Sequence, residues 1–272
     1  MNQKGKTLDT ILNFGLLAAL LIGLILGLIG GGGSIVTVPV LVYLIGIDAI
    51  TATAYSLFLV GVSAAVGAYK NALQGNVNFK IGLIFSIPAF TAVYLTRAFM
   101  IPALPDVIAT FNGFVLTREL AIIVFFALIM LVASVSMIKT KKNTTPISDT
   151  KLNIPLVILE GGIVGVVTGL VGAGGGFLII PALVLLAGLE IKVAIGTSLF
   201  IIAIKSLIGF LGDVTNTLID WPFLLTFTAF AVGGIFIGLA FNKRVPSERL
   251  KKIFGWFVLL MGISILFKEI VL

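Results

Sequence analysis

The chain has no histidine and no cysteine among its 272 residues, and only 11% of it is charged. The two missing residue types remove whole classes of chemistry. A Ser-His-Asp or Cys-His nucleophile, a zinc site on His or Cys, a haem on His, an iron-sulfur cluster and a redox thiol pair each need one of them. Clustered carboxylates are also lacking, so a membrane enzyme is disfavoured and no metal or other cofactor is expected. The absence of thiols leaves the redox compartment open. What fills the chain instead is apolar: 59% of residues are hydrophobic and the mean hydropathy is +1.23, beyond the proportions of soluble domains. These residues come in runs that match the ~20 helical residues needed to cross a ~30 Å hydrocarbon layer, not as stripes beside polar faces. The chain reads as an all-α integral membrane protein.

The net charge of +7 would suggest nucleic acid in a soluble protein. Here the basic residues sit in short loops beside apolar runs, so they read as topology signals, with the lipid bilayer as partner and no nucleic acid. The first run, 12–29, follows Lys4 and Lys6 like a signal peptide, yet it continues into glycines and more apolar sequence without an A-x-A cleavage pattern, and is read as a span.

Apolar segments fall at 12–29, 35–46, 50–69, 79–99, 118–138, 153–171, 177–188, 191–211, 221–242 and 253–267. The polar stretch 139–151 cannot remain in hydrocarbon and divides the chain into a first membrane repeat (1–139), a cytoplasmic linker (140–152) and a second membrane repeat (153–272). The halves are homologous. Shifted by 142 residues, Gly27 to Phe58 matches Gly169 to Phe200 at 14 of 32 positions without a gap, including Pro39/Pro181, Gly46/Gly188 and Ser56/Ser198. The first half carries extra residues, Phe99 to Thr117, read as an interfacial loop.

Each half thus holds four long helices and one segment of about 12 residues, which predicts eight full spans plus two half-helices. At 1.5 Å per residue the short segment reaches only ~18 Å, about half the membrane. Proline breaks no helical hydrogen bond only in the first turn, so Pro39 and Pro181 place the half-helix starts within about four residues before them. The glycines then form non-helical backbone at membrane depth, tolerated only inside protein or along a water-filled cavity. If each glycine-tipped stretch enters and returns as a hairpin, Lys70, Lys80, Lys139, Lys141, Lys142, Lys151, Lys192, Lys243, Arg244, Arg249, Lys251 and Lys252 share one side, and Lys4, Lys6, Arg97, Arg118 and Lys268 face the other. Twelve against five fits the positive-inside rule with both termini outside and the second half inverted.

The leading site lies where the two glycine clusters meet the half-helices. A helix N-terminus offers free N–H groups and about half a positive charge, and glycine lets a small anion approach that backbone. Gly31, Gly32, Gly33 and Ser34 in the first half, and Gly174, Gly175 and Gly176 in the second, are the candidate cradle; the competing reading is close helix packing by small residues. Lys205 lies within an apolar span, where an ammonium costs at least ~2.5–3.5 kcal/mol. It is read as the substrate's countercharge or as a structural partner of an acid or free carbonyls, and its counterpart in the first half is Ser63. Ser56, Thr197 and Ser198 offer hydroxyls that either donate to an oxyanion or bond back along their helices. Glu160, followed by two glycines, either carries a proton inside the membrane or is solvated at its edge. Asp213 and Asp220 flank a loop and are expected to be wet.

The paired pattern Gly27-x-x-Gly30-Gly-Gly-Gly33 with Pro39-x-Leu41, and Gly169-x-x-Gly172-Ala-Gly-Gly175 with Pro181-x-Leu183, resembles the TauE/SafE sulfite exporter family of bacterial and archaeal membrane proteins over nearly the whole chain. The resemblance implies transport of sulfite, sulfonated organic acids or other small anions. Together the residues and the resemblance lead to a multi-pass secondary transporter of a small anionic substrate in the bacterial or archaeal cytoplasmic membrane, exporting by alternating access. An anion channel is the nearest alternative, and a homodimer is left open. Export of an anion from a negative-inside cell gains ~2.3 kcal/mol per charge per 100 mV.

Overall fold

The computed structural model of the chain describes residues 3–29, 31–111, 114–139, 154–185, 187–241 and 247–271; the linker 140–152 and Gly30 lie outside these. Helix α1 (Gln3–Ile29) leads into the first glycine cluster. There the chain forms a short helix in three continuous pieces, a 3₁₀ stretch (Gly31–Val36), one α turn, α2 (Thr37–Pro39), and a π stretch (Val40–Ile45). Next come α3 (Ala49–Leu73) and α4 (Phe79–Leu95), the latter prolonged by a π turn (Thr96–Met100) into α5 (Ile101–Ala103). After the hairpin β1 (Val107–Phe111) and β2 (Phe114–Thr117), α6 (Arg118–Ile138) closes the first half. The second half contains α7 (Ile154–Val171), the short α8 (Gly176–Leu185), α9 (Ile191–Asp213), α10 (Trp221–Phe241) and α11 (Ser247–Val271). Among the described residues six helices are long and apolar enough to cross a bilayer: Ala49–Leu73, Phe79–Ala103, Arg118–Val135, Ile154–Val171, Ile191–Asp213 and Trp221–Phe241. The chain is a multi-pass membrane protein.

Polar residues at the loop edges start and stop these helices. Asp48, Asn78, Thr117 and Asp220 each accept a backbone N–H three residues on, at 2.9 to 3.2 Å, so they cap α3, α4, α6 and α10. The two short helices end alike. Gly46 and Gly188 adopt φ +84° and +63°, and the N–H groups of Ile47 and Leu189 return to the carbonyls of Leu41 and Leu183 at 3.0 Å, the left-handed closure that glycine allows.

Helices α3 and α9 form the centre, with 67% and 72% of their spans buried against 33% to 39% for the other four. Lipid tails are as apolar as leucine, so close fit of small residues holds such helices together. A Cβ on Gly23 of α1 would fall on the Ala231 carbonyl oxygen of α10, and one on Gly165 of α7 would fall on the Ala89 carbonyl oxygen of α4. Gly23 and Gly165, like Ala89 and Ala231, are 142 residues apart, so each half's first helix packs on the other half's α4 or α10 through equivalent atoms. Loop contacts repeat the exchange: the Asn78 N–H donates to Thr197 Oγ1 at 2.9 Å and the Asp220 N–H to the Tyr55 hydroxyl at 2.6 Å. Between the central helices, Leu57 lies near Gly209, Gly61 near Leu207 and Gly67 near Leu199. Helices α3 and α9 therefore run antiparallel.

The segment 99–117 differs from the expected loop and from a purely α fold. The helix continues to Ala103, and a two-stranded antiparallel hairpin follows, with Val107 opposite Thr117 and Phe111 opposite Phe114. Its β-branched residues suit a pleated surface better than a coil. Arg118 pins its base by donating from Nη2 to Asp106 Oδ1 at 2.9 Å and from Nη1 to the Leu104 carbonyl at 3.2 Å. The start at Pro39 also needs correction, because that helical run begins at Gly31, eight residues before it, whereas α8 begins at Gly176, five residues before Pro181. A proline inside a helix removes an N–H and crowds the carbonyl four residues back. At Pro39 the helix takes this up by widening from the α turn to the π stretch.

Candidate functional site

The second glycine cluster lies between the two central helices and the first cluster. From Thr53, the α3 residues Ser56, Val60 and Ser63 follow at helical spacing along one stripe. Gly172 packs on Thr53 at its near end, where a Cβ would overlap Thr53 Cβ. Two residues on, a Cβ on Gly174 would sit 2.6 Å from Val60 Cγ1 and 3.0 Å from Ser34 Oγ. Ser34 belongs to the 3₁₀ stretch that Gly31, Gly32 and Gly33 open, so the two clusters meet here. Gly175 follows at φ +65°, a left-handed backbone that side chains rarely adopt, and Gly176 begins α8. The N–H groups of Leu178 and Ile179 return to the Gly175 carbonyl at 2.9 and 3.1 Å.

Lys205 completes the cluster from α9. Its side chain has no exposed surface, and Nζ donates to Thr168 Oγ1 of α7 at 2.8 Å. A Cβ on Gly175 would lie 3.5 Å from Nζ and would overlap Thr168 Cγ2. Among the described residues the salt bridges are Arg97 with Asp213 and Arg118 with Asp106; the amine of Lys205 faces a hydroxyl and a glycine turn. Isolated charge in a low-dielectric interior is expensive unless a counterion compensates it. A cation, a helix start and a backbone without side chains meet here, the groups with which a protein holds a small anion.

Of the other candidates, Ser56 is buried on the α3 stripe between Thr53 and Val60, and its hydroxyl has no partner among the described residues. The hydroxyls of Ser63 and Ser206 share that condition. Ser198 spends its hydroxyl on the Ile195 carbonyl at 2.8 Å, and Thr197 receives the Asn78 N–H; both stand near the start of α9. Glu160 is half-buried on α7 with Oε2 unpartnered. It lies eight residues before Thr168, ~12 Å along the helix, so the fold does not bring it to the cluster.

Two readings of charge change. Arg97, counted among loop charges, is completely buried, and Asp213, expected to be wet, is 3% exposed. They pair at 3.5 Å, and Arg97 Nη1 also donates to Thr53 Oγ1 at 2.9 Å. The physical reason is that the helical run continues through the π turn to Ala103, which keeps Arg97 inside the bundle beside α9 rather than at its edge. Thr168, one turn before Gly172, was missed because a lone threonine in a span carries no pattern.

A family model described as Sulfite exporter TauE/SafE matches residues 15–265. A probable membrane transporter protein of Xylella fastidiosa (strain 9a5c) is 26% identical over 256 residues, covering 92% of each chain. The probable membrane transporter protein YdhB of Bacillus subtilis (strain 168) is 27% identical over 256 residues, covering 93% of this chain and 99% of that one. A similar match, 23% identical over 267 residues, is to the probable membrane transporter protein MJ0441 of Methanocaldococcus jannaschii, covering 91% and 94%. No solved structure matches the chain.

Proposed function

This chain belongs to the TauE/SafE sulfite exporter family of membrane transporters, and we propose that it exports a small oxyanion, sulfite or an organosulfonate, across the cytoplasmic membrane. The observation that carries the reading is the burial of Lys205 against the glycine turn with no acidic partner among the described residues. An intramembrane cation without an acidic partner works against stability, which argues that a transient anion is its counterion. Gly174, Gly175 and Gly176, with Ser34 and the turn of Gly31 to Gly33, supply closely packed backbone N–H groups, and space for the anion opens as the surrounding helices part. Ser56 supplies a further hydroxyl along the stripe.

The burial supports alternating access. A side chain with no exposed surface can meet an aqueous ion only after the surrounding helices part, and this speaks against a continuously wetted channel. The antiparallel run of α3 and α9 and the exchanged packing of α1 on α10 and α7 on α4 support inverted repeats. In this reading α1 and α11 bring the long helices to eight, α1 and α7 return through the short helices as hairpins, and the three net crossings left in each half put the linker on one side and both termini outside. Flux is then driven by the membrane potential or an ion gradient, with Glu160 as a candidate proton carrier away from the anion.

The test is thermal-shift screening of the purified protein against sulfite, sulfoacetate, taurine, sulfate and acetate, followed by Lys205→Met. The substitution keeps side-chain length and removes a buried charge, so the free protein should be at least as heat-stable as wild type. Anion affinity should fall by roughly 10- to 100-fold, the loss of a charged hydrogen bond of about 1.5–3 kcal/mol. Wild-type affinity in a folded Lys205→Met protein would assign Lys205 to structure and remove the basis of the reading.

A further inference from the structure

We propose that Arg97 forms a second oxyanion seat at the other end of the second glycine turn, and that Asp213 competes with the anion for it. The inference rests on the anion-transport reading above. Arg97 sits on the π turn that prolongs α4, a local widening of the kind found at functional sites. Its Nη1 is occupied by Thr53 Oγ1 at 2.9 Å, and its contact with Asp213 Oδ1 is 3.5 Å, long beside the 2.7–2.9 Å of a charge-assisted bond. Nε and Nη2 have no partner among the described residues, and neither has Asp213 Oδ2. A buried pair held for structure satisfies its donors. Here the open edge of the guanidinium is the one that grips two oxygens of a carboxylate, sulfite or sulfonate side by side.

The surroundings fix the seat relative to Lys205. Gly212 of α9 backs the Arg97 side chain, with a Cβ there only 3.0 Å from Arg97 Cβ, while Gly172 packs on Thr53. Gly172 and Gly175 are three residues apart, at most ~11 Å of chain. One end of the turn therefore touches the partner of Arg97, and the other end touches Lys205. Between them on the α3 stripe stands Ser56 with its unpartnered hydroxyl. An anion leaving Lys205 has a second cationic stop within one glycine turn, and Asp213 keeps that stop weak enough to release it.

Calorimetric titration of the full chain in lipid nanodiscs with sulfite and with methanesulfonate tests this. Wild type should bind two anions, and Lys205→Met should keep one. The remaining site should be lost when Arg97→Lys, which retains charge but not the fork, is added. It should tighten roughly tenfold when Asp213→Asn removes the competing carboxylate. Should Asp213→Asn unfold in the absence of anion, Thr53→Val, which leaves the ion pair in place, should weaken the site roughly tenfold, and sulfite should raise the melting temperature of Asp213→Asn more than that of wild type. A single wild-type site abolished by Lys205→Met, or a remaining site indifferent to Arg97→Lys and Thr53→Val, would overturn the second seat alone. Absence of any oxyanion binding to wild type would overturn the transport reading with it.

Discussion

Adding one methyl group at Gly175 probes the proposed site most sharply. Gly175 has φ +65°, where an L side chain costs roughly 1–2 kcal/mol. The new Cβ would also overlap Thr168 Cγ2. Thr168 cannot swing the methyl aside freely, since its hydroxyl donates to the Gly165 carbonyl at 3.3 Å and accepts from Lys205 Nζ at 2.8 Å. Overpacking of this kind typically adds about 1–3 kcal/mol, so Gly175→Ala should cost about 2–5 kcal/mol in all. Gly46→Ala is the control: its φ is +84°, but nothing lies within 4 Å of the new atom. It should cost only the ~1–2 kcal/mol of backbone strain and leave transport intact. Thr168→Ser deletes the obstructing methyl and keeps the hydroxyl, so in the Gly175→Ala background it should restore the overpacking part. Thermal unfolding of the purified variants, with oxyanion flux in proteoliposomes, measures both quantities. The reasoning is refuted if Gly175→Ala loses no more stability than Gly46→Ala, or if Thr168→Ser restores nothing.

The exchanged packing predicts that Gly23→Ala and Gly165→Ala lose folded protein to a similar extent, by about 1–3 kcal/mol or more, because each new Cβ lands on an equivalent backbone carbonyl; size-exclusion profiles of the two variants should match. Single cysteines introduced into this Cys-free chain near Asn2 and near the C-terminus should both react with an impermeant thiol reagent from outside, whereas one at 140–150 should not; opposite labelling of the two termini would dismiss the inverted arrangement.

The duplication, the short helices and the glycine turns were legible because each is a local statement. A run of apolar residues has a length, a glycine cluster before a proline has a position, and a shift of 142 superposes both. Lys205 stood out for the same reason, as a charge in a span. Arg97 and Asp213 did not, because their meaning depends on where α4 ends and on which helix lies beside it. Arg97 was grouped with the loop charges, and its partner is 116 residues away. Thr197 and Ser198 show the reverse: their chemistry suits an anion, yet the fold engages one with the Asn78 N–H and the other with its own helix.

The sequence by itself determined the membrane class, the repeat and the presence of two short segments, since hydrophobic length, glycine and proline act on the backbone within a few residues. Only the tertiary structure decided which polar groups face one another. Hydrogen bonds and ion pairs act over about 3 Å, and helices with equally apolar faces carry little in their sequence to say how they are rotated against each other. That rotation is set by small residues meeting their neighbours, Gly165 of α7 on the Ala89 carbonyl of α4 and, on α9, Gly209 on Val93 and Gly212 beside Arg97. It turns Lys205 toward the glycine turn and Arg97 toward Asp213.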